Sequence, residues 1–235
     1  MIFKFCRKLP AVLLILIWPG WLNAQPVKDA DGNQYAVVTI GKQVWLTENL
    51  KSTKYADGTE IPMAADDKKM QDFTPSYSWF NNDETANKLR YGALYNWYAV
   101  STKKLCPQGW HVPSDSEWTI LTDFLTAGGY GYEGSGNDIA KSMAAKTGWI
   151  ASTEPGSTGF DQKKSNNRSG FSALPGGIRN FTGKPDTIGS YGFWWSATEF
   201  YNTNAWSRGL IHNKGYVFRF SYGKRNHMSV RCIKD

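Results

Sequence analysis

Cys106-Pro-Gln-Gly-Trp-His-Val-Pro-Ser-Asp-Ser-Glu-Trp118 is the stretch of this 235-residue chain that says most about its fold. Its first half is typical of a strand, and its second half opens a helix, because Ser114 and Glu117 form a capping box. Apolar residues then recur at helical spacing from Trp118 to Leu125, until Gly128-Gly129 ends the helix. The stretch therefore predicts a strand that leads directly into an amphipathic helix.

The first 24 residues have the layout of a secretory signal peptide. Met1–Lys8 is basic, Leu9–Leu22 is apolar, and Ala24 is a small residue at the expected cleavage point. Prolines interrupt the apolar run, which makes it too short and broken for a membrane span. We expect an exported chain, located in the periplasm, on the outer-membrane surface or outside the cell. Residues 25–235 are long enough for one large domain, and we see no linker or repeat that would divide them.

Net charge does not favour a nucleic-acid ligand. Lys4, Arg7 and Lys8 belong to the predicted signal peptide, so 24 basic and 20 acidic residues remain after its removal. This excess is mild and scattered along an exported chain, whereas nucleic-acid-binding proteins concentrate basic residues on one surface. We therefore expect no nucleic-acid partner.

Two cysteines remain after the predicted cleavage, Cys106 and Cys232. In an oxidising compartment two such cysteines are expected to form a disulfide, and a pair of buried free thiols is the alternative. The disulfide would tie the middle of the chain to its last strand.

The order of local patterns predicts an α+β fold with an antiparallel sheet. A hairpin is expected at 35–47, a polar surface loop at 64–90, short helices within 91–100, 114–127 and 138–146, and an exposed loop at 151–169. Short strands separated by glycine turns follow, at 171–174, 193–197, 205–210, 216–220 and 228–233. Asp29–Asn33 is better explained as a turn than as a calcium loop, because it lacks the glycine and glutamate that an EF-hand needs.

Several segments resemble the Fibrobacter succinogenes major paralogous domain family, in order over roughly residues 28–235. They are Ile40-Gly-Lys-Gln-Val-Trp-Leu-Thr-Glu-Asn-Leu50, Tyr91-Gly-Ala-Leu-Tyr-Asn-Trp-Tyr-Ala-Val100, Leu105-Cys-Pro-Gln-Gly-Trp-His-Val-Pro113, Ser169-Gly-Phe-Ser-Ala-Leu-Pro-Gly-Gly177, Phe193-Trp-Trp-Ser-Ala-Thr-Glu199 and Ser229-Val-Arg-Cys232. The family usually carries Gly-Phe where this chain has His227-Met228. The resemblance implies a C-type lectin-like domain, also similar to the sulfatase-modifying fold, with a twisted antiparallel sheet, two or three short helices and long loops. It also implies an exported or surface protein.

The residues do not favour an enzyme. The formylglycine-generating enzymes of the similar fold use a cysteine pair to bind copper, but Cys106 and Cys232 are expected to form a structural disulfide. His111, His212 and His227 lie on separate segments, which disfavours a metal site, and no cofactor is expected. Paired carboxylates for glycoside hydrolysis stay open because their pairing is spatial. A diverged sulfatase-modifying-factor-like enzyme is the second alternative.

A binding module is the leading hypothesis, with a polysaccharide or a cell-envelope protein as its partner. Aromatic faces with neighbouring amides and guanidiniums can stack on sugar rings and bind hydroxyls. Strand alternation predicts that one of Trp194 and Trp195 points inward, and a turn at residues 201–204 is expected to be exposed. The candidate ligand-binding residues are Arg179, Asn180, Glu199, Tyr201, Asn202, Asn204, Trp206 and Arg208. No calcium-binding lectin triplet occurs, and a structural or adhesion protein without glycan binding is the alternative.

Overall fold

The computed structural model describes residues 26–66, 68–134 and 136–235, so the predicted signal peptide lies outside the described residues. These residues form an α+β structure. Its strands are β1 (Val27–Lys28), β2 (Gln34–Tyr35), β3 (Val37–Ile40), β4 (Gln43–Leu46), β5 (Tyr77–Ser78), β6 (Leu94–Tyr95), β7 (Trp110–His111), β8 (Ile178–Arg179), β9 (Pro185–Asp186), β10 (Tyr191–Tyr201), β11 (Asn204–Ile211), β12 (Phe218–Gly223) and β13 (Ile233–Lys234). Its α-helices are α1 (Glu84–Tyr91), α2 (Trp97–Ser101), α3 (Asp115–Ala127) and α4 (Ala140–Met143).

The named strands pair antiparallel in several small sheets rather than in the one sheet that the sequence predicts. A four-stranded sheet has the order β3-β4-β13-β7, and a three-stranded sheet has the order β10-β11-β12. The remaining strands form pairs, β1 with β2, β5 with β6 and β8 with β9. The four-stranded sheet brings the first hairpin and the last strand together, and the predicted disulfide between Cys106 and Cys232 lies beside it.

The predicted capping box is confirmed at the start of α3. Ser114 Oγ accepts a hydrogen bond from the backbone N–H of Glu117 at 3.2 Å, and the Glu117 carboxylate accepts one from the backbone N–H of Ser114 at 2.8 Å. The predicted hairpin at 35–47 is also present, with Gly41 at φ +63° in its turn. The helix α3 ends at Ala127, beside the predicted glycine stop.

Two apolar clusters form the core, and β10 runs between them. Trp195 belongs to the cluster that contains Trp97 and Met228, whereas Trp194 packs with Trp45 and Trp118 in the other. Both Trp194 and Trp195 are therefore fully buried. The expectation that only one of them points inward is wrong, because both faces of β10 are covered.

Several segment predictions need correction. The expected loop at 64–90 contains α1, which Asp83 caps by accepting a hydrogen bond from the Ala86 N–H at 2.9 Å. The helix expected within 91–100 begins only at Trp97, because Asn96 is its cap and the preceding residues pair with β5. The helix expected at 138–146 is limited to α4. Of the strand expected at 228–233, Met228 and Ser229 form isolated bridges, residues 230–232 have no regular structure, and Ile233 begins β13.

The segment 151–169 was expected to be an exposed loop, but part of it is buried. Its chain wraps around the ammonium group of Lys141, whose side chain is 4 % exposed. Lys141 Nζ donates to Asp161 Oδ1 at 2.7 Å, to Asn166 Oδ1 at 2.9 Å and to the Phe160 carbonyl at 3.0 Å. A buried ammonium needs such acceptors. Asn166 is therefore buried, and so is Thr158, whose carbonyl accepts a hydrogen bond from Asn166 Nδ2.

Candidate functional site

The turn between β10 and β11 lies at the exposed end of a long hairpin. Register shifts interrupt the pairing between Trp195 and Glu199 and again between Glu199 and Tyr201. Such bulges break the alternation of side chains and redirect them. As a result Phe200 and Tyr201 are both exposed, at 41 % and 69 %.

A groove of about 450 Å³ lies beside this turn. Three aromatic side chains line it, Phe73, Tyr98 and Phe181. The turn contributes Asn202, Thr203 and Asn204, and the end of β12 with the residues after it contributes Gly223, Lys224, Arg225 and Asn226. We call this the Asn202 groove. It combines exposed rings with amide, hydroxyl and cationic groups on one concave surface.

Hydrogen bonds donated by Lys224 hold the turn in place. The Lys224 backbone N–H donates to the Thr203 carbonyl at 2.9 Å, and its Nζ donates to the Asn202 carbonyl at 2.8 Å. The same Nζ forms an ion pair with Glu199, so the charge of Lys224 is neutralised. The ammonium also lies 4.7 Å from the ring centroid of the buried Trp97. The turn is thus anchored to the core through one lysine.

Another part of the groove wall depends on Asn226. Its Oδ1 accepts a hydrogen bond from the Phe181 backbone N–H at 3.1 Å, and its Nδ2 donates to the Gly223 carbonyl at 2.8 Å. Phe181 is 45 % exposed and Phe73 is 68 % exposed. The Arg225 guanidinium lies between them, 4.9 Å from the Phe73 ring centroid and 5.1 Å from that of Phe181. Two rings and a cation therefore form a preassembled wall.

The structure brings some of the sequence-predicted site residues to this groove. Asn202 and Asn204 line it, and Glu199 contacts it through Lys224. Asn180 precedes Phe181 and stabilises the adjoining turn, where its Oδ1 accepts from the backbone N–H groups of Thr182 at 3.0 Å and Lys184 at 3.2 Å.

Tyr201 and Trp206 lie outside the lining of the groove and belong to another surface. The Phe200 ring is 4.8 Å from that of Tyr201 and 4.4 Å from that of Trp206. Arg219 covers the Trp206 ring, with Cζ 3.4 Å from its centroid. We call Phe200, Tyr201 and Trp206 the hairpin-tip cluster.

The two predicted arginines are buried. Arg179 is 1 % exposed, and its guanidinium donates to the Gly183 and Ala64 carbonyls and to Asn82 Oδ1. Their place in the interior means that Arg179 and Arg208 do not present their guanidinium groups on the surface where the sequence analysis expected a ligand platform.

Arg208 belongs to a charged network at the start of α3. It is 3 % exposed and donates to the side chain of Asp115 and to its carbonyl at 3.1 Å. Arg219 binds the same carboxylate at 2.8 Å. Burial would raise the pKa of Asp115, but the two guanidiniums outweigh it and lower that pKa.

Sequence reasoning did not find Phe73, Tyr98, Phe181 and Arg225. Phe73 is an isolated aromatic residue in a polar segment, and Phe181 follows an asparagine in a glycine turn. An aromatic side chain in such surroundings has little apolar sequence nearby to pack against. This isolation was the available signal, but it does not say that two rings 108 positions apart in the chain lie against the same Arg225 guanidinium.

A second cavity of about 200 Å³ lies beside the disulfide and is largely apolar. His111 and Glu117 line part of it. His111 Nδ1 is 2.6 Å from Asp235 Oδ1, and its Nε2 is 2.9 Å from Glu117 Oε1. Burial would lower the pKa of His111, but these two carboxylates outweigh it and raise that pKa. Both ring nitrogens are thus engaged in contacts that tie the C-terminus to α3.

Within the described parts of the chain, no group of three or more His, Cys, Asp or Glu side chains is arranged to hold a metal ion. No described helix has the length and apolar character needed to cross a membrane.

Comparison with known proteins connects this structure to one family. The model of the Fibrobacter succinogenes major domain matches residues 38–234, which contain most of the β3–β4 hairpin, the four α-helices of the described residues, the Asn202 groove and the two disulfide-bonded cysteines. Neither the curated proteins nor the solved structures contain a significant match. Because the match covers most of its length, the chain belongs to the Fibrobacter succinogenes major domain family.

Proposed function

We propose that this protein is an exported, non-catalytic binding module of the bacterial cell envelope that recognises carbohydrate in the Asn202 groove. The observation that carries the proposal is the presence of exposed rings and fixed polar groups on one concave surface. Phe73 and Phe181 keep much of their side-chain surface exposed, and Asn202 and Asn204 belong to the same lining.

This combination suits a sugar. The C–H face of a pyranose is apolar and packs on an aromatic ring, while its hydroxyls need donors and acceptors with fixed directions. Asparagine side chains supply both a donor and an acceptor. The anchoring of the turn by Lys224 limits the entropy that a ligand would lose in ordering it.

A binding role rather than hydrolysis is supported by the composition of the lining. Glycoside hydrolases commonly place two carboxyl groups on either side of the scissile bond. The described residues that line the Asn202 groove include no Asp or Glu, and Glu199 is engaged by Lys224.

Export and the finer fold are part of the same proposal. The layout of residues 1–24 and the disulfide between Cys106 and Cys232 support an oxidising compartment. A C-type lectin-like fold is supported by the connection from β7 to the capped helix α3, which corresponds to the segment that resembles that fold.

A second candidate function is recognition of a cell-envelope protein by the hairpin-tip cluster. Tyr201 is 69 % exposed beside Phe200 and Trp206, and exposed aromatic groups of this kind are enriched in protein interfaces. In that role the protein would be an adhesion or scaffold domain without glycan binding.

Affinity electrophoresis of the purified protein through gels that contain neutral or acidic polysaccharides tests the proposal. We expect retardation by at least one polysaccharide, and Phe73→Ala should weaken it about 3- to 10-fold because a ring contact is lost. Tyr201→Ala is the matched control, since Tyr201 is an exposed aromatic residue outside the lining. Retardation that disappears in Tyr201→Ala but persists in Phe73→Ala would move the site to the hairpin-tip cluster, and folded protein that no polysaccharide retards would contradict glycan binding.

A further inference from the structure

We infer that the Asn202 groove takes an acidic saccharide, a hexuronate unit whose carboxylate binds Arg225. The inference rests on the proposed function, since it specifies the class of sugar that the groove recognises. It is carried by a positive charge that has no carboxylate partner among the described residues.

The charges around the groove are unequal. Among the described residues that line it, Lys224 and Arg225 are the two cations, and none is acidic. Glu199 neutralises Lys224, but the ion pairs among the described residues do not include Arg225. The lining therefore carries about one uncompensated positive charge.

The surroundings of Arg225 hold its guanidinium in place without satisfying it. Phe73 and Phe181 flank it, and its one hydrogen bond among the described residues is a long one, from Nη1 to the Gln71 carbonyl at 3.4 Å. A guanidinium has five N–H donors in a planar fork, and flanking rings fix the plane of that fork. Most of these donors have no partner in the part of the chain that the structure describes, so they can bind a ligand.

Arg90 and Arg168 also lie against an aromatic ring without an ion pair among the described residues, but each lies against one ring, whereas Arg225 lies against two. Arg208 and Arg219 share the Asp115 carboxylate, so each of them has a carboxylate partner within the protein. Arg219 also covers an aromatic ring, that of Trp206, yet it retains its carboxylate partner. Arg225 has the ring contacts without the carboxylate.

A uronate supplies the missing group. Its planar carboxylate can accept two parallel hydrogen bonds from the guanidinium fork, and the ring that bears it presents a C–H face to Phe73 or Phe181. The hydroxyls of the same sugar would then meet the amides of Asn202 and Asn204. One sugar unit would thus use all three kinds of group in the lining.

The test compares polygalacturonate, a neutral glucan and a sulfated galactan as gel-embedded ligands for the full chain. We expect polygalacturonate to bind most tightly, with weaker binding as the ionic strength rises to about 1 M, where charges are screened within about 3 Å. Arg225→Gln should weaken polygalacturonate binding about 10- to 100-fold, because a charge-assisted hydrogen-bonded pair is lost. Arg225→Lys should recover only part of it, since a lysine cannot bind a carboxylate through a planar fork.

Arg90→Gln is the matched control. Arg90 lies exposed on α1 and stacks on Tyr91 with Cζ 5.1 Å from the ring centroid, so its removal changes the net charge equally at a site outside the groove. Equal effects of Arg225→Gln and Arg90→Gln would overturn the assignment of Arg225. Tighter binding of the neutral glucan or the sulfated galactan would overturn the uronate inference while leaving carbohydrate recognition in place. Folded protein that binds none of the three would overturn both.

Discussion

The base and the tip of the β10–β11 hairpin both carry aromatic residues, but those at the base are buried and those at the tip are exposed. Trp194 and Trp195 at the base are fully buried, one in each apolar cluster of the core. Phe200 and Tyr201 at the tip are 41 % and 69 % exposed on the same strand. The bulges between Trp195 and Tyr201 mark the place where the side chains of the strand change from buried to exposed.

The difference shows that aromatic content alone does not locate a binding surface. At the base, each aromatic side chain has a covered face to pack against, so its burial stabilises the fold. Beyond the bulges the strand leaves the core, and the adjoining turn borders the Asn202 groove instead. We therefore expect substitutions at the base to change stability and substitutions at the groove to change binding.

The largest expected effect is that of Trp194→Ala. Removal of a fully buried tryptophan leaves a cavity and should lower the free energy of unfolding by about 3–5 kcal/mol. Tyr201→Ala, at the exposed tip, should change it by no more than about 0.5 kcal/mol. Urea denaturation of both variants measures the contrast, and similar losses for the two would remove the distinction between base and tip.

The Asp115 network allows a second comparison, between the buried guanidinium of Arg208 and the more exposed one of Arg219. Asp115→Asn leaves the guanidinium of Arg208 buried without its carboxylate and should cost about 3–5 kcal/mol. Arg219→Gln removes the more exposed partner of the same carboxylate, so about 1 kcal/mol or less is expected. Chemical denaturation at neutral pH separates the two, and an equal cost would show that burial does not govern this network.

The pKa of Asp115 gives the same network a pH dependence. Because that pKa is lowered in the folded state, its contribution to stability is present above the unfolded value near 3.8 and is lost as the pH falls through the folded value. When the parent protein and Asp115→Asn are unfolded by urea across the acidic range, the parent should lose this stability and the variant should not.

Removal of the disulfide tests whether a change in the core affects stability without affecting binding in the groove. Cys106 and Cys232 are buried and 126 positions apart, so replacing both by serine should cost about 2–5 kcal/mol. Neither residue lines the Asn202 groove. At temperatures where the double variant is still folded, its affinity for a polysaccharide ligand should therefore match that of the parent protein, and a large loss of affinity would link the groove to the disulfide.

The smallest expected effect comes from His111, which is 40 % exposed. Its pKa is raised in the folded state by Asp235 and Glu117, against the effect of burial. The resulting stabilisation is fully present below the unfolded value near 6.5 and is lost as the pH rises through the higher folded value. Thermal melts of the parent and of His111→Gln should converge at alkaline pH, and a difference that grows with pH would contradict the sign.

Local features of the sequence predicted local features of the fold. The capping box at Ser114 and the hairpin around Gly41 depend on residues that are neighbours along the chain, so their patterns are sufficient. The helix α1 has no apolar stripe in the sequence, and a cap at Asp83 inside a polar segment was interpreted as part of a loop. Burial of both Trp194 and Trp195 depends on two clusters that form only when the whole chain is folded.

Only the part of the candidate site that depends on neighbouring residues could be predicted from the sequence. Asn202 and Asn204 lie in a turn that the sequence marks, and both line the groove. Phe73, Phe181 and Arg225 come from three distant segments, and only the fold brings them together. The sequence instead predicts a ligand contact at Trp206, whose ring is covered by Arg219.

The most direct test of the account is to map the ligand site by NMR on the isotope-labelled protein, titrated with an oligosaccharide of the best-retarded polysaccharide. We predict that backbone amide shifts change mainly at residues 202–204 and 223–226 and beside Phe73 and Phe181. Shifts confined to the cavity beside His111, or to the hairpin-tip cluster, would contradict the central claim that the Asn202 groove is the binding site.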